Sequence, residues 1–384
     1  MSRKKIIILD NENLTIRRRE LFCIEELQRA GFEVEFWDLS LLSIDMEICD
    51  QLSEPYLRKF STLGEFQCAV KEQNMQETLF IVEVWYKWSS RRILKTLKKN
   101  KCFTIKINLY AKILYSSKNL SLSFSWNTVK YILSKAGDEL SYVAFKVYCA
   151  MSKMNRKFDY CISSDSRRKS TQTLINHPDW VRSQVIENSP RSEDIPSEPY
   201  VVFIDQFYPL HPDFKRDFPG KLGDAELYRA ELNRFFDIIK RDLGYDTVIA
   251  AHPKATYTSD SFGGRKIFKY RTEELVRYSE GALLHTSLAV SYILIFDKPV
   301  MLITNSEHKK TTKLMVVQQR YEEFLGLGTV DTDTVTELSG ADLKNVETEI
   351  REKYIYSILT SRGIEGRLNS DILIETLGSL VISD

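Results

Sequence analysis

The chain has 384 residues, 43% hydrophobic and 28% charged, with a formal net charge of +1. This is the composition of folded domains and excludes disordered, collagen-like and disulfide-scaffold classes. The length predicts two hydrophobic cores rather than one. No stretch of 18 apolar residues occurs, so no transmembrane helix is expected, and the apolar part of Met1–Asp10 (MSRKKIIILD) is too short for a signal peptide. The six cysteines are scattered, without CxxC or zinc spacing, so a cytoplasmic setting is expected.

In chain order, Lys5–Leu9 predicts a strand followed by the polar loop Asp10–Asn13. Arg17–Ala30 predicts one amphipathic helix with Leu21, Ile24 and Leu27 on a shared face, capped by Gly31. Glu33–Leu39 and Leu79–Val84 predict further strands. Ser89 is positioned to cap a basic helix reaching Lys99, and Cys102–Leu109 alternates as a strand. Residues 126–155 predict one or two helices, and Phe158–Ser163 the last strand of a first domain.

Asn188–Pro199 is rich in proline and serine and marks a linker. Beyond it, Tyr200–Ile204 predicts a strand ending at Asp205, and Ala225–Leu243 a long helix terminated by Gly244. Thr247–Ala251 predicts a strand ending at His252, Pro253 and Lys254. Thr272 would cap a helix, Gly281–Leu284 would form a strand, Thr286 and Ser287 would open a second helix, and Val300–Ile303 would form another strand. Strands alternating with helices imply parallel sheets with both faces covered. The expected class is α/β, with two Rossmann-like doubly wound domains. The expected division is 1–190, a linker at 191–199, 200–355, and a helical tail at 356–384. Ligands of such sheets bind at the carboxyl ends of the strands.

Between Val84 and Gly137 there are 12 Lys or Arg and no Asp or Glu, interleaved with aromatic residues. Such a block reads either as a solvated basic face or as a surface for an anionic lipid or polymer. Nothing points to nucleic acid as the partner.

The segments FIDQFYPLHPDF (203–214), His252-Pro253, TEEL (272–275) and LLHTSLAVSYILIFDKPV (283–300) resemble the donor-binding domain of GT-B glycosyltransferases. They are most similar to surface-polysaccharide proteins related to bacterial sialyltransferases and polysialyltransferases, whose HP motif they share. The N-terminal 40 residues resemble the opening of such proteins. The resemblance implies two domains facing a cleft, and a nucleotide-sugar donor, with a CMP-linked acidic sugar such as a nonulosonate or Kdo favoured. It implies a glycan or lipid-linked glycan acceptor in capsule or lipopolysaccharide synthesis and metal-independent inverting transfer, and the basic aromatic block at 84–137 would hold the protein at the inner face of the plasma membrane. His252 would contact the donor phosphate together with Thr286 and Ser287, beside Pro253 and Lys254. The family's acidic-acidic-glycine triplet, which supplies the base, is missing from the first domain. The carboxylates at predicted strand ends are Asp10, Glu83 and Asp205; Asp205 is the first candidate for the base and Asp10 the second.

Other readings share this fold: a nucleotide-sugar 2-epimerase, a polyol-phosphate transferase, or a non-catalytic binding partner. His285 reads as a buried, hydrogen-bonded histidine. His211 and Asp213 read equally as structure or site. Arg17–Arg19 read as a wet helix face whose first member could reach an anionic sugar. Gly263-Gly264 lacks phosphate-loop spacing and reads as a turn. Asp331-Thr332-Asp333 has the spelling of a metal motif but lies late in a threonine-rich turn, so no metal site is expected.

Overall fold

The computed structural model describes residues 5–43, 52–86, 88–109, 147–148, 158–217, 220 and 222–380. Residues 110–137 of the basic block, and nearly all of the helices expected over 126–155, lie outside the described residues. Among those described, no helix is long and apolar enough to cross a membrane.

Two compact units divide the chain, the first closing at Asn176 and resuming at Thr360, the second running from His177 to Leu359. The first holds β1 (Lys5–Asp10), β2 (Glu33–Asp38), β3 (Leu57–Lys59), β4 (Thr78–Val82), β5 (Phe103–Asn108), β6 (Tyr160–Ser163) and β7 (Thr173–Leu174). They pair in the order β3-β2-β1-β4-β5-β6-β7, and every pairing is parallel. Both faces of the sheet are covered. Ile6 and Ile8 of β1 join one apolar cluster while Ile7 and Leu9 join another on the opposite face. That is why β1 is a continuous apolar run rather than an alternating one.

The segment expected as a single helix is two, α1 (Ile16–Leu21) and α2 (Ile24–Arg29), separated by Cys23 at φ 49°. Phe22, Cys23 and Ile24 are consecutive and all buried, which one helical face cannot achieve at about 100° per residue. The left-handed residue between the helices redirects the chain so that all three turn inward. Ser90, not Ser89, precedes the basic helix α4 (Arg91–Lys99), which packs beside α3 (Leu63–Lys71). Phe158–Ser163 does not close the sheet, because the two-residue edge strand β7 follows β6.

The second unit repeats the arrangement. Its strands β8 (Tyr200–Ile204), β9 (Asp246–Ala251), β10 (Ile267–Lys269), β11 (Gly281–Leu284), β12 (Val300–Thr304) and β13 (Thr329–Asp331) run in the order β10-β9-β8-β11-β12-β13, all parallel. In both units the strand order reverses beside the first strand, which is the signature of a doubly wound sheet. The residues expected for its long helix form α6 (Ala225–Leu243), capped by the Asp224 carboxylate and ended by Gly244 at φ 77°.

The units do not divide at 190 and 355. Helix α5 (Pro178–Glu187) packs in the second unit against α7 (Thr272–Tyr278), which Arg271 rather than Thr272 precedes as cap, and α8 (Val290–Ile295). Its Asp179 accepts hydrogen bonds from the Ser291 and Tyr292 hydroxyls of α8. The tail is divided likewise. Ile355, Ile358 and Leu359 sit in the second unit's core, whereas Ile372, Leu373 and Leu377 of α9 (Asn369–Ser379) sit in the first unit's, beside Ile24 and Leu27. Asn176 fastens this returning segment. Its amide donates to the Ile364 and Arg367 carbonyls, and its Oδ1 accepts from the Thr360 hydroxyl.

Candidate functional site

At the carboxyl edge of the second sheet, one hydrogen-bonded row joins three neighbouring strands. Beyond β8, the Gln206 amide donates to Thr286 Oγ1 beyond β11, at 3.1 Å. This pair bridges the point where strand order reverses. Next to Gln206, Asp205 Oδ2 accepts from the backbone N–H of His252 beyond β9, at 3.4 Å, and from the Tyr257 hydroxyl at 3.0 Å. The row brings together Asp205, His252 and Thr286, all singled out in the sequence.

His252 is half-buried, Pro253 follows it and Lys254 is exposed. The Lys254 backbone N–H donates to His252 Nδ1 at 3.1 Å. Nδ1 is therefore an acceptor, and in the neutral ring the proton sits on Nε2, where it can be donated. The His211 ring packs edge-on against His252 with centroids 4.6 Å apart. His211 thus supports the candidate histidine from the neighbouring loop. Asp213 belongs to the short helical turn Pro212–Asp217.

Asp205 is 3% exposed, and burial pushes its carboxyl up to about 6, against the opposing pull of the Phe207 N–H, the Tyr257 hydroxyl and the His252 N–H. Its hydrogen bonds point to the loop that carries His252, so its evident work is to hold that loop. Tyr257 escaped sequence reasoning because it stands in an aperiodic loop; Gln206 could have been read from its place one residue beyond a strand-end carboxylate.

Thr286 and Ser287 do not open a helix. Helix α8 begins at Val290 and is six residues long. Ser287 Oγ accepts the Ala289 N–H and its carbonyl accepts the Val290 N–H, so the segment folds as a turn closed on its own hydroxyl. The expected phosphate site at a helix start is therefore absent there, while the Thr286 hydroxyl stays in the Gln206 pair.

His285 is fully buried. Its Nδ1 lies 2.6 Å from the Ile303 carbonyl, which can only accept, so Nε2 accepts from the Tyr228 hydroxyl at 2.7 Å. Burial holds it down at about 4, and it is a neutral scaffold group, as its sequence setting suggested. The His308 ring stacks on it at 4.1 Å, burial holding that imidazole well below its ordinary range too. Gly263 and Gly264 adopt φ 59° and 76° in a turn. Asp331 pairs with Lys309, and Asp333 accepts the Ser306 N–H. Among the described residues, no group of His, Cys, Asp or Glu is placed to hold a metal ion.

The first unit has its own polar cluster where its strand order reverses. Asp10 ends β1, is 1% exposed, and accepts the Glu12 N–H at 3.0 Å. Arg18 of α1 reaches it, with Nε 3.4 Å from Asp10 Oδ2 and Nη2 2.6 Å from Glu12. Arg17, the residue expected to reach inward, is exposed. Burial pushes Asp10 up to about 7, partly countered by the Arg18 charge. Glu83, just past β4, is committed elsewhere, since Lys106 Nζ donates to it at 2.8 Å and the Ile107 N–H at 3.2 Å.

No protein-family model matches this sequence, and no curated protein does. Among solved structures, the chain is similar to the glycosyltransferase SnogD from Streptomyces nogalater, with 9% identity, TM-score 0.49, and coverage of 99% of this chain and 100% of that one. It is similar to a variant of the wall teichoic acid polymerase TagF, with 14% identity, TM-score 0.47, and coverage of 98% and 90%. It is also similar to a putative UDP-N-acetylglucosamine 2-epimerase from Listeria monocytogenes, with 10% identity, TM-score 0.47, and coverage of 99% and 97%. The names of these three carry different reactions, and likeness at this level distinguishes none of them.

Proposed function

We propose that this chain is a GT-B glycosyltransferase that moves a sugar from a nucleotide donor to a glycan or lipid-linked glycan acceptor in bacterial surface-polysaccharide synthesis. A CMP-linked acidic sugar is the favoured donor, from the resemblance around His252-Pro253. One observation carries the reading. His252 is held by Asp205 and His211, with Nδ1 occupied by the Lys254 N–H, so its donor nitrogen is preset beside the point where the strand order reverses. That is where doubly wound sheets take nucleotides.

In the proposed reaction the acceptor hydroxyl gives its proton to a carboxylate as its oxygen bonds the anomeric carbon. The bond from that carbon to the phosphate oxygen breaks, and its electron pair leaves with the nucleotide. His252 Nε2–H and Lys254 meet the charge that develops on the phosphate, with Thr286 adding a hydroxyl. These groups, rather than a metal or other cofactor, are proposed to stabilise the leaving group. Asp205 is the first candidate for the base, and its hydrogen bonds to the His252 loop also suit a positioning residue. Asp10, at the carboxyl end of the first sheet, where burial pushes its carboxyl up to about 7, is the second candidate. Each role is assigned within its own unit.

A thermal-shift screen against CMP, CDP, UDP and GDP tests the reading. A ligand at about 100 times its Kd stabilises by about 2.7 kcal/mol. The expected result is a shift with CMP that His252→Ala removes. A shift with UDP alone would replace the donor class, and no shift with any nucleotide would defeat the reading.

A further inference from the structure

Helix α4 presents a cationic stripe that neither the fold nor the proposed reaction uses. Its inner face, Ile93, Thr96 and Leu97, is buried, and Gln67 of α3 donates to Thr96 Oγ1 at 3.3 Å. Its outer face carries Arg92, Lys95, Lys98 and Lys99, all exposed, and exposed Lys101 follows at φ 53°. Arg92, Lys95 and Lys99 recur at the three-and-four spacing of one helical face. Among the described residues none of these five forms an ion pair, although Lys5, Arg18, Arg19 and Lys106 of the same unit all do. Helix dipole complementarity accounts for a cation or two in the last turn, not for a stripe along the whole helix.

At the head of this stripe stands Trp88, 41% exposed. The Arg91 guanidinium lies 4.7 Å over its ring and donates to its carbonyl at 2.9 Å. An exposed indole joined to a row of lysines is the pairing that suits a lipid-water interface. The indole settles at headgroup depth, and the ammonium groups meet anionic headgroups as point charges. Base-edge recognition would call instead for bidentate arginines, and the stripe has one arginine among four lysines.

We infer that the α4 face docks on an anionic membrane surface, with Trp88 at the interface and Arg92, Lys95, Lys98, Lys99 and Lys101 against the headgroups. This extends the proposed function by giving the enzyme a place beside a lipid-linked acceptor, but it stands on the surface alone and is measured without turnover.

The test is co-sedimentation of the full chain with phosphatidylcholine vesicles and with mixed phosphatidylcholine–phosphatidylglycerol vesicles, at low and high salt. Binding is expected only to the mixed vesicles, with release by salt. Each cation near such a surface contributes about fivefold in partitioning, so the Lys95→Gln, Lys98→Gln, Lys99→Gln variant should bind at least about tenfold less. The same three positions changed to Arg should bind as the parent does. Equal binding to both vesicle types, an unweakened glutamine variant, or binding to heparin but to neither vesicle would overturn the inference. All three positions are exposed, so the melting temperature and the nucleotide response of the variant should match the parent. Loss of vesicle binding with the nucleotide response intact thus separates this inference from the proposed function.

Discussion

Arg18 straddles two carboxylates, with its Nε 3.4 Å from Asp10 Oδ2 and its Nη2 2.6 Å from Glu12 Oε2. The guanidinium charge lowers the Asp10 carboxyl, while Glu83 and Glu12 push it the other way. If Asp10 is the base, transfer requires its ionised form. Activity should therefore rise with pH through about 7. Arg18→Met removes the favourable charge and should move that limb to higher pH, with loss of rate at neutral pH. Asp10→Asn should lower kcat by about 10²–10⁴ and leave nucleotide affinity unchanged. A pH profile of kcat/KM for the parent and Arg18→Met checks the assignment. A limb that does not move places the base elsewhere.

The same carboxyl bears on stability, with a definite sign. Asp10 titrates near 7 in the folded protein against an ordinary value of 3.8, so the folded state holds a proton that the unfolded state has released. Between those values stability falls as pH rises, and above 7 the full cost of a buried charge is present. Asp10→Asn should therefore stabilise the protein at pH 8, by an amount on the order of 2–4 kcal/mol, and change its stability little at pH 4. Urea unfolding at both pH values measures this. A variant less stable than the parent at pH 8 would show that the Arg18 pair outweighs the burial.

Much of this architecture is written in local signals. The apolar runs at Ile6–Leu9 and Val201–Ile204 mark strands buried on both faces, and Asp224 and Gly244 bracket α6 at both ends. What escaped is what depends on distant partners. The break at Cys23 answers to the burial of three consecutive side chains, and the start of α8 at Val290 to the Ser287 turn. The return of α9 to the first unit depends on Asn176, whose partners lie about 190 residues away in sequence. At the site, His252 and Thr286 could be named because strand ends locate them. Tyr257 and the Arg18 link could not, since neither has a periodic or motif signal.

Gly223 shows how tightly the scaffold beneath the candidate site is closed. Its N–H donates to the Tyr208 hydroxyl at 2.8 Å, and a Cβ built there would lie 2.7 Å from the Glu307 carbonyl oxygen. The Tyr208 hydroxyl in turn donates to that same carbonyl. Gly223→Ala should separate these groups and cost about 1–3 kcal/mol. Gly220, where a Cβ would meet nothing within 4 Å but φ is 69°, should cost less, about 1 kcal/mol. Chemical denaturation of the two variants gives the ranking, and the reverse order would mean that the 205–224 segment relaxes freely.

Tyr228 and His285 supply the test of the buried ring pair. Tyr228→Phe keeps the ring and removes the hydroxyl that donates to His285 Nε2, the one donor to it among the described residues, leaving a buried acceptor unsatisfied. That should cost about 1–3 kcal/mol. The lost bond cannot be replaced by protonating His285, because burial holds that imidazole down at about 4 and the His308 ring lies stacked against it. The loss should therefore be the same at pH 6 and pH 8. A cost that shrinks at pH 6 would mean that the imidazole takes up a proton once the tyrosine hydroxyl is gone.

The returning helix α9 separates the stability of the two units. Leu373 and Leu377 are fully buried in the first unit's core, beside Ile24 and Leu27 of α2. Leu373→Ala should cost the first unit about 2–5 kcal/mol, and Asn176→Ala should loosen the same segment by removing its hold on Ile364, Arg367 and Thr360. The second unit's core contains neither side chain. Calorimetry of the full chain should therefore show an earlier transition in either variant, with a later one near its original temperature, since domains with separate cores need not melt as one. Adding the nucleotide identified by thermal shift should raise only the later transition. If both transitions move together with Leu373→Ala, the two units unfold as a single cooperative body and the core of each depends on the other.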